Sequence, residues 1–294
     1  MSTDGGTVWN IIDSYFLDGG AMATDPGSSN ILWSGGIHSN GSIEVMSVAK
    51  TTDYGTSWSR FEIGQAKGIT RSIAIDPNDS DIILAGGCED SVAALYVTGN
   101  GGNSWFLSST GITGDTVSAL AIDPLNNNNY YCGTSDGIFK STDYGNAWAG
   151  TGCSDVNSIL VNPGSPDTVY AGTKTGVYLS TDEGLTWTAM NSGLADTYIY
   201  GLGLHPDNFL FAATNMGGMY RWDLNFGVTE KQRVLIENIY TGPTIFSGAL
   251  HLPTDRKYRI YDISGREVDA RCMAPGIYFV EANGKITAKI IKVK

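Results

Sequence analysis

The chain has 294 residues, a formal net charge of −12, 41% hydrophobic side chains, 38 Gly, 15 Tyr and 7 Trp. That composition is too apolar and aromatic for a disordered chain, and too often interrupted by glycine for long helices. The negative charge makes nucleic acid a poor partner, and no apolar run approaches the ~18–20 residues of a membrane-spanning helix.

The charge is unevenly placed. Residues 1–225 carry 7 Lys+Arg against 23 Asp+Glu, whereas residues 226–294 carry 11 against 7. All seven Trp lie in the first part. The change falls in the polar stretch Phe226–Arg233. The sequence therefore reads as two domains, 1–225 and 234–294, joined by a linker over 226–233.

The first domain is a repeat, and the chain opens inside it. Ser2-Thr3-Asp4-Gly5-Gly6-Thr7-Val8-Trp9 is the first copy of Ser/Thr-Thr-Asp-x-Gly-x-x-Trp. Further copies carry Asp53 and Trp58, Asn100 and Trp105, Asp143 and Trp148, and Asp182 and Trp187. The Trp-to-Trp steps are 49, 47, 43 and 39 residues. A second mark alternates with the first, at Asp25-Pro26, Asp76-Pro77, Asp123-Pro124, Asn162-Pro163 and His205-Pro206. Between the marks lie short strand-like runs, such as Ser118–Ile122, Tyr130–Cys132, Gly137–Ser141 and Ala147–Ala149. Four antiparallel strands repeated every ~40–50 residues are the pattern of a β-propeller blade.

The Asp signature resembles the Asp-box (BNR) repeat of sialidases, xyloglucan-cleaving enzymes, sortilin-type receptors and photosystem II assembly factors. The resemblance implies that the Asp caps the turn between the third and fourth strands while the Trp packs between blades. It makes Asp4, Asp53, Asn100, Asp143 and Asp182 structural residues. The fold class is then all-β: a propeller of Asp-box blades followed by a small antiparallel β-sandwich.

Counting from Ala21 gives four complete blades and a fifth with three strands, Ile199–Leu204, Phe209–Ala213 and Gly218–Trp222. The run Val8–Ile12 is an orphan fourth strand that could complete the fifth blade and close a five-bladed ring. The alternative is a truncated piece of a larger propeller.

In the tail, Lys257–Ile263, Ile277–Ala282 and Thr287–Lys294 alternate as strands, with Ser264-Gly265 and Asn283-Gly284 as turns. This segment resembles the type A C-terminal sorting domain of the type IX secretion system. The resemblance rests on Tyr261–Val268, Pro275–Val280 and the basic last strand. It implies export to the exterior or the cell surface, with that secretion machinery as a partner of residues 234–294. No signal peptide stands at Met1–Gly5, so the reading includes a truncated start.

Chemistry is harder to find. Four scattered cysteines make no disulfide framework, and the three His lie far apart, so neither a metal nor a cofactor is expected. Only Arg60, Arg71 and Arg221 could serve a sialidase-type carboxylate clamp, and none has that family's context. On the propeller face away from both turn sets the sequence places Asp13, Asp18, Glu89, Asp90, Asp115, Asp136, Asp155 and Asp196. Of these, Asp18, Glu89, Asp90, Asp136, Asp155 and Asp196 are candidates for a two-carboxylate glycosidase. Tyr15, Phe16, Tyr198 and Tyr200 are candidates for stacking on sugar rings. The function expected is a secreted or surface module that binds a polysaccharide or an extracellular protein; the alternative is a glycoside hydrolase resembling xyloglucanases.

Overall fold

A computed structural model of the chain describes residues 19–39 and 41–224, and in the tail 244–246, 258–262, 266–269, 274, 276–282 and 285–292. The expectations for Asp4, Trp9, Asp13, Tyr15, Phe16, Asp18 and Cys272 lie outside the described residues. So does the orphan strand Val8–Ile12. The chain divides into two compact units, 1–231 and 232–294.

The first unit is built from antiparallel sheets in chain order. Repeat I comprises β1 (Gly19–Thr24), β2 (Leu32–Ser39), β3 (Glu44–Thr51) and the start of β4 (Ser59–Ile75). Repeat II takes the remainder of β4 with β5 (Ile82–Glu89), β6 (Val92–Gly99) and β7 (Phe106–Leu107). Repeat III holds β8 (Val117–Ile122), β9 (Tyr130–Thr134), β10 (Ile138–Ser141) and β11 (Ala149–Gly152). Repeat IV holds β12 (Val156–Val161), β13 (Val169–Thr173), β14 (Gly176–Ser180) and β15 (Thr188–Ala189). Repeat V is three-stranded among the described residues: β16 (Ile199–His205), β17 (Phe209–Thr214) and β18 (Met219–Asp223).

Two details differ from the sequence reading. Strand β4 runs unbroken through two repeats, so one strand serves both sheets, pairing with β3 over Ser59–Lys67 and with β5 over Gly68–Ile75. Trp58, Trp105, Trp148 and Trp187 each stand just before the fourth strand rather than inside it. The last has a physical cause: the turn occupies the residues up to the Trp, and the Trp148 amide donates to Thr110 of the preceding connection.

Both turn marks are built by short polar side chains. In repeat III, Ser141 Oγ donates to Asp143 Oδ1 at 2.7 Å and accepts from Gly145 N at 2.9 Å, while Ala147 N donates to the same carboxylate at 3.0 Å. Asp53 and Asp182 repeat the pattern, and Asn100 keeps it through its amide oxygen. Tyr144 and Gly145 both lie in the left-handed region at φ 59° and 84°, as Glu183 and Gly184 do at 57° and 87°. Glycine takes the second position without a Cβ penalty. The other mark is an Asx turn: Asp25, Asp76, Asp123 and Asn162 each accept from the amide two residues on. His205 preserves the role, because its Nδ1 accepts from Asp207 N at 3.2 Å.

These bonds carry a pH dependence. Turn donors, led by Ser57 and Thr186, hold the Asp53 and Asp182 carboxyls down to about 2. A lowered folded-state pKa gives stability that is present above the unfolded value near 3.8 and is lost as pH falls towards about 2. Acid melts should therefore show most of the loss of these turns below pH ~4. An Asp53→Asn, Asp182→Asn double variant should flatten that limb, and an unchanged profile would exclude the carboxylates as its source.

Between repeats the core follows one rule. The second strands carry a glycine at Gly35, Gly86, Gly133 and Gly172, and each receives a β-branched side chain from the next first strand. A Cβ at Gly35, Gly86 or Gly172 would sit 2.6, 2.5 or 2.7 Å from Thr70, Val117 or Ile199. Gly133 receives Val156 in the same way. In repeat V the position is Ala213, aligned by its pairing with Gly201. A Cβ on neighbouring Gly201 or Gly203 would meet open space, so the far side of repeat V lacks that contact among the described residues.

In the second unit, β19 (Thr244–Phe246), β22 (Lys285–Lys292), β21 (Gly276–Ala282) and β20 (Tyr258–Asp262) form one sheet in that order. β19 runs parallel to β22, a pairing the alternation did not signal. The second layer of a sandwich is not among the described residues.

Candidate functional site

The acidic candidates fall where the connection between repeats meets the hairpin joining the second and third strands. Each first strand also carries a β-bulge there, between Thr70 and Ser72, Val117 and Ala119, Val156 and Ser158, and Ile199 and Gly201. A bulge adds one residue and re-aims its side chain. In repeat V the added residue is Tyr200.

Most of the carboxylates there act as clasps. Glu89 Oε1 accepts from Gln65 N and Ala66 N at 2.7 and 3.0 Å, and its Oε2 accepts from Tyr96 OH at 2.8 Å. Asp155 binds Lys174 Nζ at 2.5 Å, while its carbonyl accepts from Lys174 N. Asp196 accepts from Tyr198 N at 2.9 Å and from Met216 N at 2.5 Å. Asp115 bonds Ser135, and that bond, more than any other contact, holds its carboxyl below the usual range. Asp196 is lowered likewise, first by the Tyr198 amide. Asp136 approaches Ser135 Oγ at 3.4 Å, and Asp90 sits at a left-handed turn position with φ 48°. Each clasp ties a hairpin to the neighbouring connection, so these acids serve the fold first.

The aromatic candidates give a different picture. Tyr198 and Tyr200 lie with ring centroids 5.0 Å apart and planes tilted by 52°. Tyr200 is 58% exposed, and its hydroxyl donates to Asn215 Oδ1 at 3.0 Å. Lys174 joins the same neighbourhood: its ammonium is stabilised first by Asp155, with smaller contributions from Tyr198 and Asp115. The candidate site is therefore the Tyr198–Tyr200 pair, with Asn215, Lys174, Asp155 and Asp196 around it. Lys174 and Asn215 escaped the sequence reading, although each stands just after the second strand of its repeat.

Other chemistry is sparse. Among the described residues no cluster of His, Cys, Asp and Glu could hold a metal ion. Cys88, Cys132 and Cys153 are free thiols, and burial pushes the Cys132 and Cys153 thiols up, the latter to about 11. No described helix is long and apolar enough to cross a membrane.

No family model matches the chain, and no curated protein matches it. Solved structures do. An ancestral GH74 enzyme is similar over 97% of this chain and 39% of its own, at 20% identity and TM-score 0.58. PorZ of Porphyromonas gingivalis, a bacterial surface component of the type-IX secretion system, is similar over 100% of this chain and 47% of its own, at 17% identity and TM-score 0.52. YCF48 bound to D1 peptide is similar over 71% of this chain and 66% of its own, at 15% identity and TM-score 0.53. The chain thus spans less than two thirds of the length of each. At these identities the likeness shows the fold alone: the first unit is a β-propeller, and its repeats are blades.

Proposed function

We propose that the propeller is a binding module for a glycan on the cell surface or outside the cell, and that the Tyr198–Tyr200 pair is its recognition surface. One observation carries this reading. An aromatic pair whose Tyr200 ring is exposed and bonded to Asn215, bordered by the Lys174–Asp155 ion pair, offers a stacking face beside fixed polar groups. The clasp role of Glu89, Asp155 and Asp196 favours binding over hydrolysis, since a glycosidase needs one carboxyl held protonated and another free to attack. The lowered Asp115 and Asp196 carboxyls point the same way.

The turns at Asp53, Asn100, Asp143 and Asp182 support reading the repeat as the Asp-box. The tail supports the sorting reading only through its sequence, and the likeness to PorZ adds a surface relative to it. We take the fifth blade to be completed by an extended segment along β18, with residues 8–12 as the candidate from this chain.

The test is a glycan-array screen followed by calorimetry on the best hit. Tyr200→Ala should weaken binding about tenfold or more, as the loss of a stacked ring does, and leave the melting curve unchanged. Binding that survives the substitution would place recognition elsewhere. For the tail, the full chain with a signal peptide, expressed in a host with type IX secretion, should reach the exterior and lose the residues after about 230. An exported chain that retains its C-terminus would overturn the sorting reading.

A further inference from the structure

Two neighbouring joints of the propeller are built from the same parts, yet only one is filled. Between the second and third blades the connection is the nine residues Ser108–Thr116. Buried Ser108 accepts the Trp148 indole N–H at 3.2 Å and donates to the Gly145 carbonyl. Thr110 accepts from the Trp148 amide, and Ile112 reaches the core beside it. Between the third and fourth blades the connection shrinks to the three residues Cys153–Asp155. Nothing stands in for Ser108 there. Trp187 is half-buried where Trp148 is 6% exposed, and its indole N–H has no partner.

The missing plug leaves a shallow, open groove of about 590 Å³. Its lining residues include Trp187 and Tyr178, Thr151, Thr175 and Thr186, and Asp136. We infer that this groove binds a neutral saccharide one or two units long. The two rings supply flat apolar surface for a sugar face. The Thr175 and Tyr178 hydroxyls, which bond each other, can each donate or accept and so match a polyhydroxylated ligand, and a carboxylate accepts from paired sugar hydroxyls. No Lys or Arg lines the groove, so an anionic sugar would meet Asp136 uncompensated. A peptide would find few apolar pockets for its side chains. The groove shares no residue with the Tyr198–Tyr200 surface and stands independently of it.

The test uses the full chain with cellotriose and maltotriose as neutral probes, followed by saturation-transfer NMR and calorimetry. Glucuronic acid and triglycine serve as charged and peptide controls. Two variants plug the groove at exposed positions: Ser154→Trp in the short connection, and Leu185→Trp, where the leucine is 70% exposed. Asp136→Asn keeps the shape and removes the charge. At least one trisaccharide should bind in the millimolar range, and each plug should weaken it about tenfold or more. Tyr200→Ala should leave this binding intact, which separates it from the surface on the fifth blade. The inference fails if neither trisaccharide saturates, if both folded plug variants bind as before, or if only Tyr200→Ala abolishes binding. Triglycine binding more tightly than either sugar would overturn it in favour of a peptide site.

Discussion

Trp148→Ala should lower the stability of the propeller by about 3–5 kcal/mol, the usual range for deleting a buried large aromatic. The indole is 6% exposed and lies in a cluster with Leu84 and Leu95 of the second blade and with Tyr130 and Cys132 of the third. Its ring stands 6.4 Å from that of Tyr130, tilted by 38°. Removal therefore opens a cavity between two blades and also leaves Ser108 Oγ without its donor. Denaturant melts of the variant measure the sum. Trp148→Phe helps to separate the two effects, because it keeps most of the volume while it loses the N–H together with the smaller ring. Asp143→Ala should cost far less, since its carboxylate works at the solvent edge of the turn. A neutral Trp148→Ala would remove the Trp from its role as the joint.

How much of this was legible in the sequence follows from which interactions are local. The Asp and Ser/Thr of each turn bond within four residues of one another, so spacing alone revealed Asp53, Asn100, Asp143 and Asp182. The Asx turns are local too, and even His205 kept its place beside Pro206. The clasps were not legible, because they join segments roughly 20 residues apart. Asp155 with Lys174, Glu89 with Gln65 and Asp196 with Met216 each cross a strand pair whose register no composition rule supplies. The sequence therefore offered eight exposed acids on one face, and the structure assigns a fold-holding bond to most of those described. Strand β4 was missed for a related reason. Gly64–Lys67 lacks a Pro or an Asx turn to interrupt it, so the chain passes between blades while still extended.

The glycine sockets make the sharpest prediction about how blades join. Each of Gly35, Gly86, Gly133 and Gly172 faces a β-branched residue closer than a Cβ could tolerate, so glycine is needed there for close approach and not for a turn. Gly86→Ala places a methyl 2.5 Å from Val117 Cγ1 and 2.9 Å from its Cβ. Neither atom ends a flexible side chain, and Val117 is fully buried, so the two blades must separate or the strand must shift. Overpacking of this kind costs about 1–3 kcal/mol. Val117→Ala alone should also destabilise, through lost burial. In the double variant the new methyl enters the space the valine vacated, so the two losses should fall short of additivity by about 0.5–3 kcal/mol. Chemical denaturation of the four proteins measures that coupling directly. Additive losses would mean that the socket and its occupant do not meet, and the rule would then fail for all four joints. Gly201→Ala in the fifth repeat is the built-in control: its Cβ meets none of the described residues, so the same kind of change there should be nearly neutral.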